Sequence, residues 1–239
     1  MLHYFPSGDS ALIIKAENEI SEDILRIVRK LLIRIELEHI DGVIDFIPSY
    51  NELMICYDPS VIGYLRLLDI LRNLEPGIEG IELPKSSLIH VPVLYGGESG
   101  SDLQEVADFN NLSTDEVVNI HSSACYLIYM LGFTPGFCYL GGMDQRIAIP
   151  RKKTPRFKIP AGSVGIADKQ TGIYPIESPG GWQLIGKTPI RLFDPGKKPE
   201  FLVEAGDHLQ FYQILGDEFK DIEGKVKKGV YEVEKSKQF

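Results

Sequence analysis

Cysteine is scarce in this chain: three residues, Cys56, Cys125 and Cys138, among 239. Their number is odd and their spacing wide. No CxxC or CxxH pair occurs, so a zinc site is not expected. Cys56 in Leu-Met-Ile-Cys-Tyr and Cys125 in Ala-Cys-Tyr-Leu read as buried core thiols, and a reducing cytoplasm is the expected compartment. Long apolar runs are missing too. No segment approaches the roughly eighteen residues that a membrane span requires. The opening MLHYFPSGDS has neither a basic leader nor an apolar stretch, and is not expected to be a secretory signal. Positive charge is in deficit. The net charge of −9 makes nucleic acid a poor partner, because an acidic surface repels phosphate at long range. Internal repeats and low-complexity stretches are also lacking.

What is present is enough apolar material, 44% of residues, for real cores. Residues 1–85 read as one small α+β domain. Ala11 to Lys15 is a short strand after the Ser7-Gly8-Asp9 turn. Ser21 caps a helix whose stripe is Ile24, Val28, Leu31 and Ile35. Val43 to Pro48 and Glu52 to Tyr57 are paired strands. Asp58-Pro59-Ser60 opens a second helix, with Val61, Leu65, Leu68 and Leu71 on one face. Strand–helix–strand–strand–helix suggests a ferredoxin-like sandwich.

Pro76-Gly77 and Pro84 punctuate the end of this unit, and residues 86–239 form the second domain. Ser87 to Tyr95 is a strand. Short helices follow from about Ser101 to Asn110 and from Ser113, where Ser113 and Glu116 have capping-box spacing. After Ala124 glycine and proline recur every few residues, which excludes helix and predicts a closed or nearly closed β-barrel. Ile190 to Phe193 and His208 to Ile214 supply more strands. The charged tail from Gly216 ends in an edge strand near Val230 to Val233, and the last residues fray.

Chemistry is expected between Gly132 and Gly186. Gly132 to Gly142 alternates aromatics with glycines, as either a barrel corner or a pocket lip with exposed backbone amides. Pro160 to Ala167 is a run of small residues against which something packs closely. Gln170, Tyr174, Glu177, Ser178 and Gln183, with the sole Trp182, crowd polar groups suited to a planar amide or carboxylate. Gly181 to Thr188 formally matches GxxxxGK[ST]. Its Trp-Gln-Leu-Ile interior is strand-like, however, and Pro189 follows, so it is not read as a phosphate loop. Arg146 to Lys158 carries six cations and no acid, as either a solvated loop or an anion site. His121 ends a helix, where the dipole favours its protonated form. It either caps that helix or faces a ligand.

GFTPGFCYLGG at Gly132, PAGSVGIA at Pro160, QTGIYPIESPGGWQLIGKTP at Gln170 and LFDP at Leu192 resemble the KipI family. Its members are also called the B-type subunits of 5-oxoprolinase, or allophanate hydrolase subunit 1. YGGE at Tyr95, His121-Ser122 and the early SGDSALII extend the resemblance over nearly the whole chain, with Cys138 standing where many relatives have proline. The resemblance implies an N-terminal α/β domain and a cyclophilin-like barrel. It implies work with a C-type (KipA-type) and an A-type subunit as an ATP-dependent 5-oxoprolinase, with Mg2+ accompanying the nucleotide, and little activity alone. On that reading Arg151 and Arg156 bind the substrate's anion and Lys158 contacts the cofactor phosphate. Gln170, Tyr174 and Gln183 orient the substrate, and His121 is the acid/base. Two alternatives attach to the same family: inhibition of a sporulation sensor kinase, and the carboxyltransferase part of a biotin-dependent urea carboxylase.

Overall fold

The first helix begins where the sequence places its cap. Ser21 Oγ accepts the backbone N–H of Ile24 at 3.3 Å, and α1 runs Glu22–Glu36 with Ile24, Leu25, Val28, Leu31 and Ile35 buried. The computed structural model describes residues 2–237 and divides into two compact units, one ending at Pro84 and one beginning at Lys85. In the first unit β1 (His3–Pro6), β2 (Ala11–Lys15), β3 (Val43–Pro48) and β4 (Glu52–Tyr57) form an antiparallel sheet in the order β1-β2-β4-β3. Leu12, Ile14, Leu53, Ile55 and Tyr57 share one core with α1 and α2 (Tyr64–Leu74). Strand β1 lies outside the expected pattern, because Pro6 and flanking polar residues disguise it. The second helix differs from its predicted stripe. Residues 58–63 form turns, Val61 and Leu65 are exposed, and Leu67, Leu71 and Leu74 face the core. Val61 precedes the helix and Leu65 falls on its outer side, while Leu68 and Leu71 of the expected stripe do pack on the core.

The second unit is built around β5 (Ser87–Tyr95). Helices α3 (Leu103–Asn110) and α4 (Thr114–Ser123) follow it. The capping box of α4 is present: Ser113 N–H donates to Glu116 Oε2 at 2.7 Å, and Glu116 N–H donates to Ser113 Oγ at 3.2 Å. Next come β6 (Cys125–Leu131), β7 (Cys138–Gly141), β8 (Arg156–Ile159), β9 (Ser163–Ala167) and β10 (Gln170–Ile173). Then follow β11 (Ser178–Gly180), β12 (Gln183–Lys187), β13 (His208–Gln213), α5 (Gly216–Lys227) and β14 (Lys235–Lys237). The main sheet runs β10-β9-β12-β5-β13-β6-β7, with β14 also on β5, while β8 and β11 pair separately. Its end strands approach each other: the carbonyl of Cys138 in β7 lies 3.6 Å from where a Cβ on Gly172 in β10 would sit. The sheet is therefore nearly closed, around a core of Ile89, Val91, Tyr126, Ile128, Val164, Ile166 and Phe211.

Three local expectations change. Residues 190–193 form no strand, although Phe193 bridges to Phe201. The charged tail contains α5, where Leu215 N–H donates to Glu218 at 2.8 Å and Phe219, Ile222 and Val226 fall at helical spacing. The edge strand is 235–237 rather than 230–233, and the expected fraying of the last two residues lies outside the described residues. Cys125 is exposed, Cys56 is half-buried, and Cys138 is buried with its thiol pushed up to about 12 by desolvation.

The small residues of β9 and β10 have a specific use. Gly165 and Gly172 are cross-strand partners, and a Cβ on either would stand 3.1–3.2 Å from an atom of Trp182 or, for Gly165, from a neighbouring carbonyl. They form a floor on which the indole lies. Gly172→Val should lift the ring and destabilise the fold by about 1–3 kcal/mol. Trp182 is the only tryptophan, so a red shift of its emission together with a lowered urea midpoint is expected. An unshifted emission would show that the floor does not set the ring's position.

Candidate functional site

At the seam between β7 and β10 the barrel carries a second, smaller apolar cluster. Phe137, Tyr174 and Trp182 meet edge to face, with Phe137–Trp182 centroids 5.9 Å apart and Tyr174–Trp182 centroids 6.0 Å apart. Edge-to-face contact suits the ring quadrupoles and holds each ring in one orientation. A cavity of about 210 Å³ opens beside them, lined by Phe133, Tyr139, Arg151, Gln170, Tyr174 and Trp182 among others. Phe133 stands on its lip, 69% exposed and 5.6 Å from Phe137, with a left-handed backbone at φ 62° that is uncommon for a bulky residue. Gly132 to Gly142 is thus both a barrel corner and a pocket lip.

Three of the sequence-predicted residues converge here: Arg151, Gln170 and Tyr174. The Arg151 guanidinium lies 6.0 Å from the Trp182 ring centre, within cation–π range. Among the described residues its one ion pair, with Asp168 at 3.4 Å, is long and solvent-exposed, so the charge remains available at the mouth. Tyr174 is 3% exposed. Burial raises its hydroxyl above the ordinary phenol range, although a hydrogen bond from Trp182 backbone and the charges of Arg151 and Arg156 oppose the shift. It is therefore a neutral hydroxyl at physiological pH. Gly180 packs against that hydroxyl so closely that a side chain there would collide with it.

The other predicted residues lie elsewhere. Arg156 does not line the cavity. Its Nη2 donates to both oxygens of Asp102 at 2.6 and 2.8 Å, and Nη1 donates to the Trp182 carbonyl at 3.3 Å. Gln183 is buried, with its amide nitrogen donating to the Pro150 carbonyl at 3.2 Å. Lys158 points to solvent and pairs with Glu177 at 3.0 Å. Lys152 spans Asp102 at 3.0 Å and Glu105 at 2.8 Å. Much of the basic island is therefore committed to internal pairs, and Arg151 is its member at the cavity. Asp102, which holds this set together, has little to mark it in the sequence. Its one local signal is its place just before a helix, where an acid is ordinary. The formal GxxxxGK[ST] string lies largely in β12 and is not a phosphate loop.

His121 sits in the main core with no exposed surface. Thr171 Oγ1 donates to the Gly165 carbonyl at 3.0 Å, so it accepts from His121 Nε2–H at 2.8 Å. Nδ1 must then accept from the Tyr95 hydroxyl at 2.7 Å. The ring stacks on Phe211 at 4.5 Å. Burial pushes its pKa down to about 3, so near neutral pH the ring is neutral rather than in the protonated form expected from the helix dipole. Desolvation outweighs the terminal partial charge. His121 does not line the cavity.

Residues 2–203 match the family described as carboxyltransferase domain, subdomain C and D. The chain belongs to that family. It is 46% identical over 219 residues to the B-type subunit of 5-oxoprolinase from Bacillus subtilis, covering 87% of this chain and 90% of that one. The same subunit from Escherichia coli O157:H7 is 39% identical, over 85% and 92%. The crystal structure of the Kluyveromyces lactis urea amidolyase superposes with a TM-score of 0.81 at 22% identity, covering 99% of this chain and 16% of that one, a likeness of fold. Among the described residues no group of histidines, cysteines and acids is placed to hold a metal, and no helix is long and apolar enough to cross a membrane.

The two buried polar centres respond differently to perturbation. The unfolded chain binds a proton on His121 below about pH 6.5, whereas the folded chain does not until about pH 3. Stability should fall as pH drops through that window, and His121→Phe should flatten this part of a urea-midpoint profile. Asp102→Ala strands the guanidinium of Arg156 and the backbone N–H of Leu184 that Asp102 accepts at 2.7 Å. It should cost about 3–5 kcal/mol in denaturant unfolding.

Proposed function

We propose that this chain is the B-type subunit of an ATP-dependent 5-oxoprolinase, opening 5-oxo-L-proline to L-glutamate in complex with a C-type (KipA-type) and an A-type subunit in the cytoplasm. One observation carries the reading. The 46% and 39% identical relatives bear that name and align over nine-tenths of their length, and the chain's aromatic cavity presents the groups a small lactam acid requires. A five-membered lactam is flat and fits between aromatic faces. Its carboxylate suits Arg151, and its amide suits Gln170 and the neutral Tyr174 hydroxyl. ATP supplies the free energy of ring opening. The chain's own residues bind and orient the lactam and keep one face dry. Arg156 and Gln183 support the walls through Trp182 and the Pro150 segment rather than by touching substrate, and His121 supports the floor through Thr171 and β10. The first unit is read as a ferredoxin-like sheet with β1 in the place of the usual fourth strand, and the second as a cyclophilin-like barrel.

The test is ATP-dependent release of glutamate from 5-oxo-L-proline by this chain alone and with its A-type and C-type partners. Activity in the mixture is expected, with little from the chain alone. Arg151→Ala should raise KM by roughly tenfold or more while leaving the urea midpoint unchanged. Arg156→Ala should lower both activity and stability. Full activity of both variants would remove the cavity from the reaction. The family description favours a second reading, a carboxyltransferase component. It predicts a biotinylated partner, visible on a streptavidin blot of the purified assembly.

A further inference from the structure

On another part of the barrel a larger cavity, about 510 Å³, lies between α5 and the segment that follows β12. It uses neither Arg151 nor Trp182. Polar and apolar surface share its walls about equally, with Pro175, Pro189, Phe193 and Phe219 among the apolar residues. Its charged groups do not balance. Glu177 is paired with Lys158 at 3.0 Å and Glu223 with Lys227 at 2.7 Å. Lys187 and Arg191 line the same cavity, and among the described residues neither has an ion-pair or hydrogen-bond partner through its side chain. Two uncompensated cations in one recess of a chain with net charge −9 form a local positive centre that repulsion elsewhere on the surface does not cancel. Arg191 also borders an adjoining cavity of about 230 Å³ lined by Asp194, Lys197, Glu200, Phe201 and Tyr231 among others, so it stands between two recesses of the same surface groove region.

We propose that this groove binds a phosphorylated small molecule with a flat apolar body, the chemistry of a nucleotide. Lys187 and Arg191 hold the phosphates and Phe193 and Phe219 flank the ring. The site is separate from the aromatic cavity, and it bears on the function proposed above only by giving this chain its own place for the nucleotide. Anion recognition is favoured by donors without close internal acceptors, which is the state of these two cations and not of Lys152, Arg156 or Lys158. The bare Gly186-Lys187-Thr188 string thus acquires a use without a phosphate loop. The lysine leaves the end of a strand, and the ligand is met by side chains rather than by a cradle of amides.

The experiment is isothermal titration of the full chain with ATP, with tripolyphosphate and adenosine as separate probes. ATP is expected to bind, and tripolyphosphate more weakly, both less tightly as salt rises. Lys187→Gln with Arg191→Gln should weaken both by roughly tenfold or more while leaving the thermal midpoint unchanged. Phe219→Ala should weaken ATP and spare tripolyphosphate. Arg151→Ala should change neither. ATP affinity that survives the double variant, or that fails instead in Arg151→Ala, would overturn the proposal. The second result would place the anion in the aromatic cavity and leave the 5-oxoprolinase reading intact. No binding of ATP or tripolyphosphate at millimolar concentration would also overturn it, whatever the glutamate assay shows.

Discussion

The carboxylate of Asp102 is the fixed point of the second unit. Burying it 95% without partners would cost several kcal/mol, and the fold meets that demand from three directions. Arg156 comes from β8, Lys152 from the segment before it, and the backbone N–H of Leu184 from β12. Each partner is thereby placed. Because Arg156 also donates to the Trp182 carbonyl, the wall of the aromatic cavity is held by a chain of charged hydrogen bonds that starts at the head of α3. Two members of the basic island on this acidic protein, Lys152 and Arg156, are the answer to this one buried acid. Arg151, whose pair with Asp168 is long and exposed, is the island's charge at the aromatic cavity.

A second polar chain, through His121, holds β10 in the same architecture. Tyr95 on β5, His121 on α4 and Thr171 on β10 are joined by two hydrogen bonds inside an apolar core, and the tautomer follows from the acceptor at Gly165. Fully satisfied, such a chain specifies which strand lies where, because any slip would leave a buried group unpaired. It ties β10 down at the seam where the barrel is only nearly closed. The aromatic cluster then fills the gap, on a floor that Gly165 and Gly172 keep bare. The cavity is a consequence of incomplete closure. Rings pack at the seam, and the space they leave is lined by what the strand ends present.

Much of the chain's organisation is written locally. Ser21 and Ser113 start helices by satisfying orphan amides within three residues, and the stripe of α1 is read directly from its period. The paired strands 43–48 and 52–57 and the glycine- and proline-rich barrel are legible for the same reason: turn chemistry and side-chain alternation act over a few residues. Where rules of that range compete with charge or with an ambiguous start, the local pattern misleads. Helix α5 hides under its charges, and the stripe of α2 is read one turn too early, through Val61 in the preceding turn.

For this protein the sequence by itself determined most of the secondary elements though not β1 or α5, a nearly closed barrel in the second unit, the segment that holds the aromatic cavity and the presence there of arginine, glutamine and tyrosine. Only the tertiary structure decided which cations remain available, because Asp102 and Arg156 are 54 residues apart and nothing near either one announces the other. It also decided that His121 is a neutral core residue, since burial depends on what a helix end packs against and not on the helix. Pairings between distant buried groups are set by closure of the sheet. Desolvation then fixes their charge states, and neither has a local signature in the chain.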